Sequence, residues 1–167
     1  MYKIIQMKKQ KNQVDEKPVL DSLNCDGSYG WKSNKIGWKV NDTLTGEVLI
    51  ENNLTGGTSN VAEFMAIVDA MRFQVEEGIN IPIYSDSLVA LRWVAAGKCF
   101  SFMDREDPEN KDIVEIVSEA EEFLKNNEVE FELLKWKTYL WGNVPSDGGN
   151  KFISKADKEK TKKALQK

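Results

Sequence analysis

Ile36, Trp38 and Val40 alternate with polar neighbours, and Val48 and Ile50 do the same beyond Thr45-Gly46. The pattern predicts a hairpin of two half-buried strands. Ahead of it, residues 19–29 predict a first strand that ends in the turn residues Asp26-Gly27-Ser28. After Thr55-Gly56-Gly57 the period changes: Val61, Phe64, Met65, Val68, Met71 and Val75 recur at helical spacing as far as Gly78. Residues 79–84 form a short β-branched apolar run, expected to be a fully buried strand, and a helix is expected from about Ser87 to Ala96. A polar, acidic loop from Asp104 to Asn110 precedes an amphipathic helix marked by Ile113, Val114, Val117, Ala120, Phe123 and Leu124. Val129, Phe131 and Leu133 alternate as a fifth strand, followed by a loop from Lys137 to Asn150 and a lysine-rich terminal helix. The predicted order is βββαβααβα, an α/β layout in which three antiparallel strands come first and two parallel strands are added. Residues 1–17 read as a basic extension, either a solvated tail or a short extra strand, and residues 18–167 as one domain.

Composition narrows the chemistry. Hydrophobic residues make up 41% of the chain and charged residues 30%, the balance of a soluble globular protein. No apolar run approaches the roughly 18 residues that span a bilayer, and the N-terminal segment lacks a signal-peptide core, so a cytoplasmic protein with no membrane association is expected. Cys25 and Cys99 have no CxxC partner and suggest neither a zinc site nor a disulfide framework. There is no histidine, which excludes the Ser-His-Asp and Cys-His schemes. Catalysis would rest on carboxylates, with lysine, tyrosine or a metal in support. The net charge of −4 is unevenly spread: residues 1–17 carry +3, residues 151–167 carry +5, and −12 is left for the stretch between. A polyanion would be held by the basic ends and by local patches.

Four acids stand at chemically informative places, and each has an ordinary alternative. Asp26 before Gly27-Ser28 fits a turn, and Glu63 three residues after Asn60 fits a capping box. Asp86 between a strand and a helix fits an N-cap, and Asp147 before Gly148-Gly149 fits another turn. Taken together, the four are expected at strand ends and segment starts on one rim of the sheet, from which carboxylates can converge on a single point where ligands usually bind. Gathered carboxylates repel one another in low dielectric, and a divalent cation with a taste for hard oxygen relieves that cost. Two such ions about 4 Å apart serve phosphodiester hydrolysis without histidine.

Cys25-Asp26-Gly27-Ser28, Thr58-Ser59-Asn60-Val61-Ala62-Glu63, Tyr84-Ser85-Asp86-Ser87 and Trp141-Gly142-Asn143-Val144-Pro145-Ser146-Asp147 resemble, in order and spacing, the four active-site motifs of type 1 ribonucleases H. The resemblance covers about residues 19–166 and includes the order of strands and helices. It implies a ribonuclease H-like fold and hydrolysis of the RNA strand of RNA–DNA hybrids to 3′-hydroxyl and 5′-phosphate ends. It also implies a site of two Mg²⁺ or Mn²⁺ ions held by Asp26, Glu63, Asp86 and Asp147. Thr58 and Asn60, with backbone near Gly27 and Ser28, match positions that contact the hybrid's backbone and 2′-hydroxyl groups, the feature that separates RNA from DNA.

The chain departs from the family in three places. Lys137 stands where the family commonly has a histidine, and a lysine would act on phosphate by charge rather than by shuttling a proton. The family's basic, tryptophan-containing handle is shortened and replaced by Asp104-Arg105-Glu106-Asp107-Pro108-Glu109. Gly148-Gly149 follows Asp147 where a helix often starts directly. Trp38 and Trp136 fit core positions, whereas Trp31 and Trp141 are candidates for stacking on sugar or base. Cys25 reads as a small core residue. Nothing in the sequence identifies a protein partner, and a monomer is expected. The rival readings are a structure-selective DNA nuclease of the same fold and a non-catalytic module that binds RNA or hybrid. An exonuclease is disfavoured because Ser28, not an acid, lies two residues after Asp26.

Overall fold

The structure, a computed structural model, describes residues 5–7 by their backbone and residues 17–147 in full. Most of the basic N-terminal extension, Gly148-Gly149 and the lysine-rich terminal segment lie outside the described residues. Six strands form one sheet: β1 (Ile5–Met7), β2 (Leu23–Gly30), β3 (Lys35–Asp42), β4 (Val48–Thr55), β5 (Ile83–Ser85) and β6 (Phe131–Lys135). The helices are α1 (Ser59–Glu77), α2 (Leu88–Ala96), α3 (Lys111–Asn126) and the single turn α4 (Thr138–Trp141).

The strand order is β1-β6-β5-β2-β3-β4. The β2-β3-β4 meander is antiparallel, and β5 and β6 add in parallel on the other side of β2, as the alternation and the order of elements predict. Beyond that five-stranded sheet, the N-terminal segment supplies β1, which pairs parallel with β6 through Ile5↔Phe131.

Among the boundaries that differ from expectation, three have a clear local reason. The first strand does not turn at Asp26-Gly27-Ser28 but runs on to Gly30, and the chain reverses at residues 31–34, where Asn34 takes φ 51°. Gly27 is instead a contact residue. A Cβ there would lie 2.5 Å from Glu63 N and 2.7 Å from Ala62 Cβ, so its absence lets α1 cross directly over β2. The central strand starts at Ile83 rather than Ile79 because residues 79–81 complete the end of α1. Ile79 N donates to the Gln74 carbonyl (3.0 Å) and Ile81 N to Gln74 Oε1 (2.6 Å). The last strand starts at Phe131 because Asn127 ties Val129 into a side-chain turn, with Val129 N donating to Asn127 Oδ1 at 3.0 Å.

The core is two-sided. α1 is buried along most of its circumference between the sheet and the helices α2 and α3, which accounts for its run of Val61 to Met71. On the opposite side, Tyr84, Trp136 and Trp141 pack edge-to-face at ring separations of 5.0–5.8 Å, with Leu134 and Val144. Trp38 and Trp136 occupy core positions as expected, and each indole N–H is satisfied, by Asp69 Oδ2 (2.7 Å) and by the Gly142 carbonyl (2.9 Å).

Candidate active site

Local structure removes the ordinary explanations of three of the four acids. Asp26 lies inside β2 opposite Lys39, so it is no turn residue. The N-cap of α1 is Thr58, whose hydroxyl accepts from Val61 N, which leaves Glu63 as the fifth helical residue with no capping role. The N-cap of α2 is Ser87, whose hydroxyl accepts from Ala90 N, so the Asp86 carboxylate is not needed there either.

These three side chains meet. Asp26, Glu63 and Asp86 each offer a carboxylate oxygen within 4.8 Å of the others. Asp26 and Glu63 share a hydrogen bond, and the Gly27 N–H donates to Glu63. Glu63 Oε2 is buried with no hydrogen-bond partner. A buried, partnerless oxygen on a carboxylate that meets two more carboxylates is costly in a protein that binds nothing there. The donor set is all hard oxygen and fits Mg²⁺ or Mn²⁺.

Electrostatics agree with that fit. Burial, reinforced by the charge and hydrogen bond of Glu63, pushes Asp26 up to about 10. Burial pushes Glu63 up to about 7, and burial also raises Asp86. The folded state thus holds protons that the unfolded chain releases near pH 4, so in the absence of metal these groups destabilise the fold increasingly as pH rises from about 4, through about 7 for Glu63 and on to about 10 for Asp26. A divalent cation removes the penalty by replacing the protons. At 100 times its Kd such an ion adds roughly 2.7 kcal/mol, or about 5–10 °C in Tm. Melts in EDTA and in Mn²⁺ should therefore diverge more at pH 8 than at pH 5, and the divergence should vanish in Asp26→Asn. Equal metal effects at both pH values would contradict a metal-binding acid cluster.

The other candidate residues are dispersed around this cluster. The Asp147 carboxylate lies outside the 4.8 Å set, yet its charge raises Asp26, Glu63 and Asp86 alike. Thr58 is half-buried at the head of α1, with Ser101 Oγ at 3.4 Å, and Asn60 is exposed on the first turn. Ser28 shares the sheet face of Asp26 and lines, with Lys39, Glu51, Asn53 and Ser146, a cleft of about 170 Å³ that opens beside it. Gly27 lies beneath α1.

Trp141 requires correction: it is 8% exposed and packed against Tyr84 and Trp136, so its ring is not open for stacking on a base. Trp31 is 76% exposed, with Lys32 Nζ 5.5 Å from its ring centre, and retains that potential. Lys137 is also buried, at 7% exposure, and its carbonyl accepts from Leu140 N and Trp141 N as the chain turns into α4. Lys135 is a further lysine whose charge acts on the cluster, favouring the ionised form of Asp86 against burial. Sequence reasoning missed it because only the alternating Val129, Phe131 and Leu133 marked the last strand. With the strand extended to Lys135, this lysine lies in register with Ser85, the residue before Asp86.

No family model matches the chain. Among solved structures, it is similar to the N-terminal RNase H domain of Rv2228c from Mycobacterium tuberculosis, at 17% identity over 87% of this chain and 95% of that one, with a TM-score of 0.41. RNase H1 from the halophilic archaeon Halobacterium salinarum aligns at 21% identity over 68% and 80%, with a TM-score of 0.35. LC11-RNase H1, isolated from compost by a metagenomic approach, aligns at 17% identity over 71% and 84%, with a TM-score of 0.40. The architecture rests on the strand order and directions described above. The fold is ribonuclease H-like. Among the described residues of this ribonuclease H-like chain, no helix is long and apolar enough to cross a membrane.

Proposed function

We propose that the chain is a metal-dependent endonuclease that cuts the RNA strand of RNA–DNA hybrids. The observation that carries this reading is the meeting of Asp26, Glu63 and Asp86 within 4.8 Å, with Glu63 Oε2 buried and partnerless. These three residues would hold Mg²⁺ or Mn²⁺, with Asp147 completing the negative field from the loop beside them. Two such ions, when bound, supply an activated water and stabilisation of the leaving oxygen of a phosphodiester, which yields 3′-hydroxyl and 5′-phosphate ends.

The remaining work falls to the chain's own groups. Burial raises Asp86, and the charge of Lys135 opposes that rise and favours the ionised carboxylate. Thr58 and Asn60, at the head of α1, would meet the sugar-phosphate backbone and the 2′-hydroxyl groups beside Glu63, with Gly27 and Ser28 on the adjoining strand. Lys137 would contribute charge to the same loop rather than proton transfer. The catalytic unit is assigned to residues 18–167 and a monomer, with residues 1–17 as an extension that joins the sheet edge through β1. The proposed place of action is the cytoplasm, a reducing compartment that suits the free, buried Cys25 and Cys99.

The test is incubation of the chain with strand-labelled hybrid, double-stranded DNA and double-stranded RNA, each in Mg²⁺, Mn²⁺ and EDTA. Cleavage confined to the RNA strand of the hybrid, dependent on divalent metal and leaving 5′-phosphate ends, is expected. Cleavage of DNA would reassign the chain to a DNA nuclease of this fold, and tight hybrid binding without cleavage would make it a binding module. Asp147→Asn should lower hybrid cleavage by about tenfold, less than loss of any of the three clustered acids. An equal loss would place Asp147 inside the ligand set.

A further inference from the structure

Asn24 is a fully buried amide in a central strand, at a place where an aliphatic side chain would ordinarily pack. Burying an amide costs about 1–3 kcal/mol unless its hydrogen bonds are made. Asn24 makes them to distant parts of the chain. Its Oδ1 accepts from Ser146 N at 2.8 Å, and its Nδ2 donates to Thr43 Oγ1 at 3.0 Å. In register with it on β3, Asn41 reaches the Pro145 carbonyl through Nδ2 at 3.5 Å. Two amides from neighbouring strands therefore grip the Pro145-Ser146 backbone. The Ser146 hydroxyl is buried without a partner, so the hold runs through the main chain and not through that side chain.

Asp147 is the next residue. Its N–H donates to the Val144 carbonyl at 2.9 Å, and Val144 is buried against the Tyr84–Trp136–Trp141 cluster. The backbone that carries Asp147 is thus held on one side by an aromatic plug and on the other by the amides. Asn24 precedes Asp26 by two residues and projects from the same face of β2, so one strand positions both the clustered acid and the loop acid.

We infer that Asn24 is a positioning residue: through Ser146 it fixes Asp147 beside Asp26, Glu63 and Asp86, and thereby sets how tightly those carboxylates hold a divalent cation. The inference rests on the metal-site reading above. An apolar residue at this position would fill the space but leave the Ser146 N–H, in a residue 2% exposed, without its acceptor. Supporting groups of this kind alter metal affinity by about 10–100-fold.

The experiment is calorimetric titration of Mn²⁺ into the full chain without substrate, beside hybrid-cleavage kinetics. Asn24→Ala should raise the Mn²⁺ Kd by about tenfold or more. The metal concentration for half-maximal cleavage should rise with it, and the KM for hybrid should stay within about twofold. Thr43→Val, which removes only the partner that orients the Asn24 amide, should move Kd in the same direction by a smaller factor. Because Asn24 acts through Asp147, the double variant Asn24→Ala/Asp147→Asn should show the same Kd as Asp147→Asn alone. An unchanged Kd in folded Asn24→Ala, or additive effects in the double variant, would overturn the assignment. If Asn24→Ala does not fold, the same cycle run with Thr43→Val decides it. Unaltered Mn²⁺ binding in Asp86→Asn would instead remove the metal site itself, whatever Asn24 does.

Discussion

Asp86→Asn is expected to lower kcat/KM for hybrid cleavage by at least about a thousandfold, roughly 4 kcal/mol of barrier, without loss of the fold. The substitution keeps shape and removes charge. Ser87, not Asp86, caps α2, so no helix-terminal bond is lost. The carboxylate it replaces is held above its ordinary range first by burial and then by the charge of Asp147, with Lys135 opposing. A neutral isostere escapes that penalty. The metal-free variant should therefore melt at or above the wild-type temperature at pH 7, an exchange of stability for activity that marks a functional residue. Kinetics beside melts in EDTA check both halves. A well-folded variant that retains more than about a tenth of the activity would remove Asp86 from the site.

Gly27→Ala should damage stability and site together. The added Cβ meets main-chain and Cβ atoms of α1 that no side-chain rotation can clear, at 2.5 Å from Glu63 N and 2.7 Å from Ala62 Cβ. Overpacking against rigid neighbours reaches about 3 kcal/mol, which corresponds to a fall of about 6–12 °C in Tm for a chain of this size. The helix must also lift where Glu63 is carried, so the Gly27 N–H contact to Glu63 is lost and cleavage should fall by more than about a hundredfold. Gly37→Ala is the control, because a Cβ there meets only Asn52 O, at an ordinary 3.6 Å. Its Tm should stay within about 3 °C of wild type, a change near 1 kcal/mol. Equal melting of the two variants would show that α1 does not rest on β2 in the manner described.

Most of the fold was legible because burial follows periodicity. The Ile36/Trp38/Val40 alternation and the Val61–Met71 spacing each mark a core face, and the structure buries those residues. Illegible features were those decided by contacts between distant segments. Gly27 looks like turn chemistry until α1 is placed over it. Asn60 and Glu63 have capping-box spacing, yet Thr58, two residues earlier, takes the cap. Trp141 sits in a polar loop in sequence but meets Tyr84 and Trp136 in space. Asn24 shows nothing in sequence, since its partners lie 19 and 122 residues away. The convergence of Asp26, Glu63 and Asp86 was expected from strand ends and helix starts, yet Asp26 lies inside β2 and Glu63 in the second turn of α1. The standing of Asp147 and the role of Lys135 depended on a loop and a strand end whose registers only tertiary contacts define.

The most direct measurement is anomalous diffraction from crystals soaked in Mn²⁺ at neutral pH. A peak within about 2.2 Å, an ordinary metal–oxygen distance, of carboxylate oxygens of Asp26, Glu63 and Asp86 is the expected result, including contact to the otherwise partnerless Glu63 Oε2. A crystal saturated with Mn²⁺ that shows no peak at these three carboxylates, with Asp26 and Glu63 still within hydrogen-bond distance of each other, would contradict a metal-dependent active site in this protein.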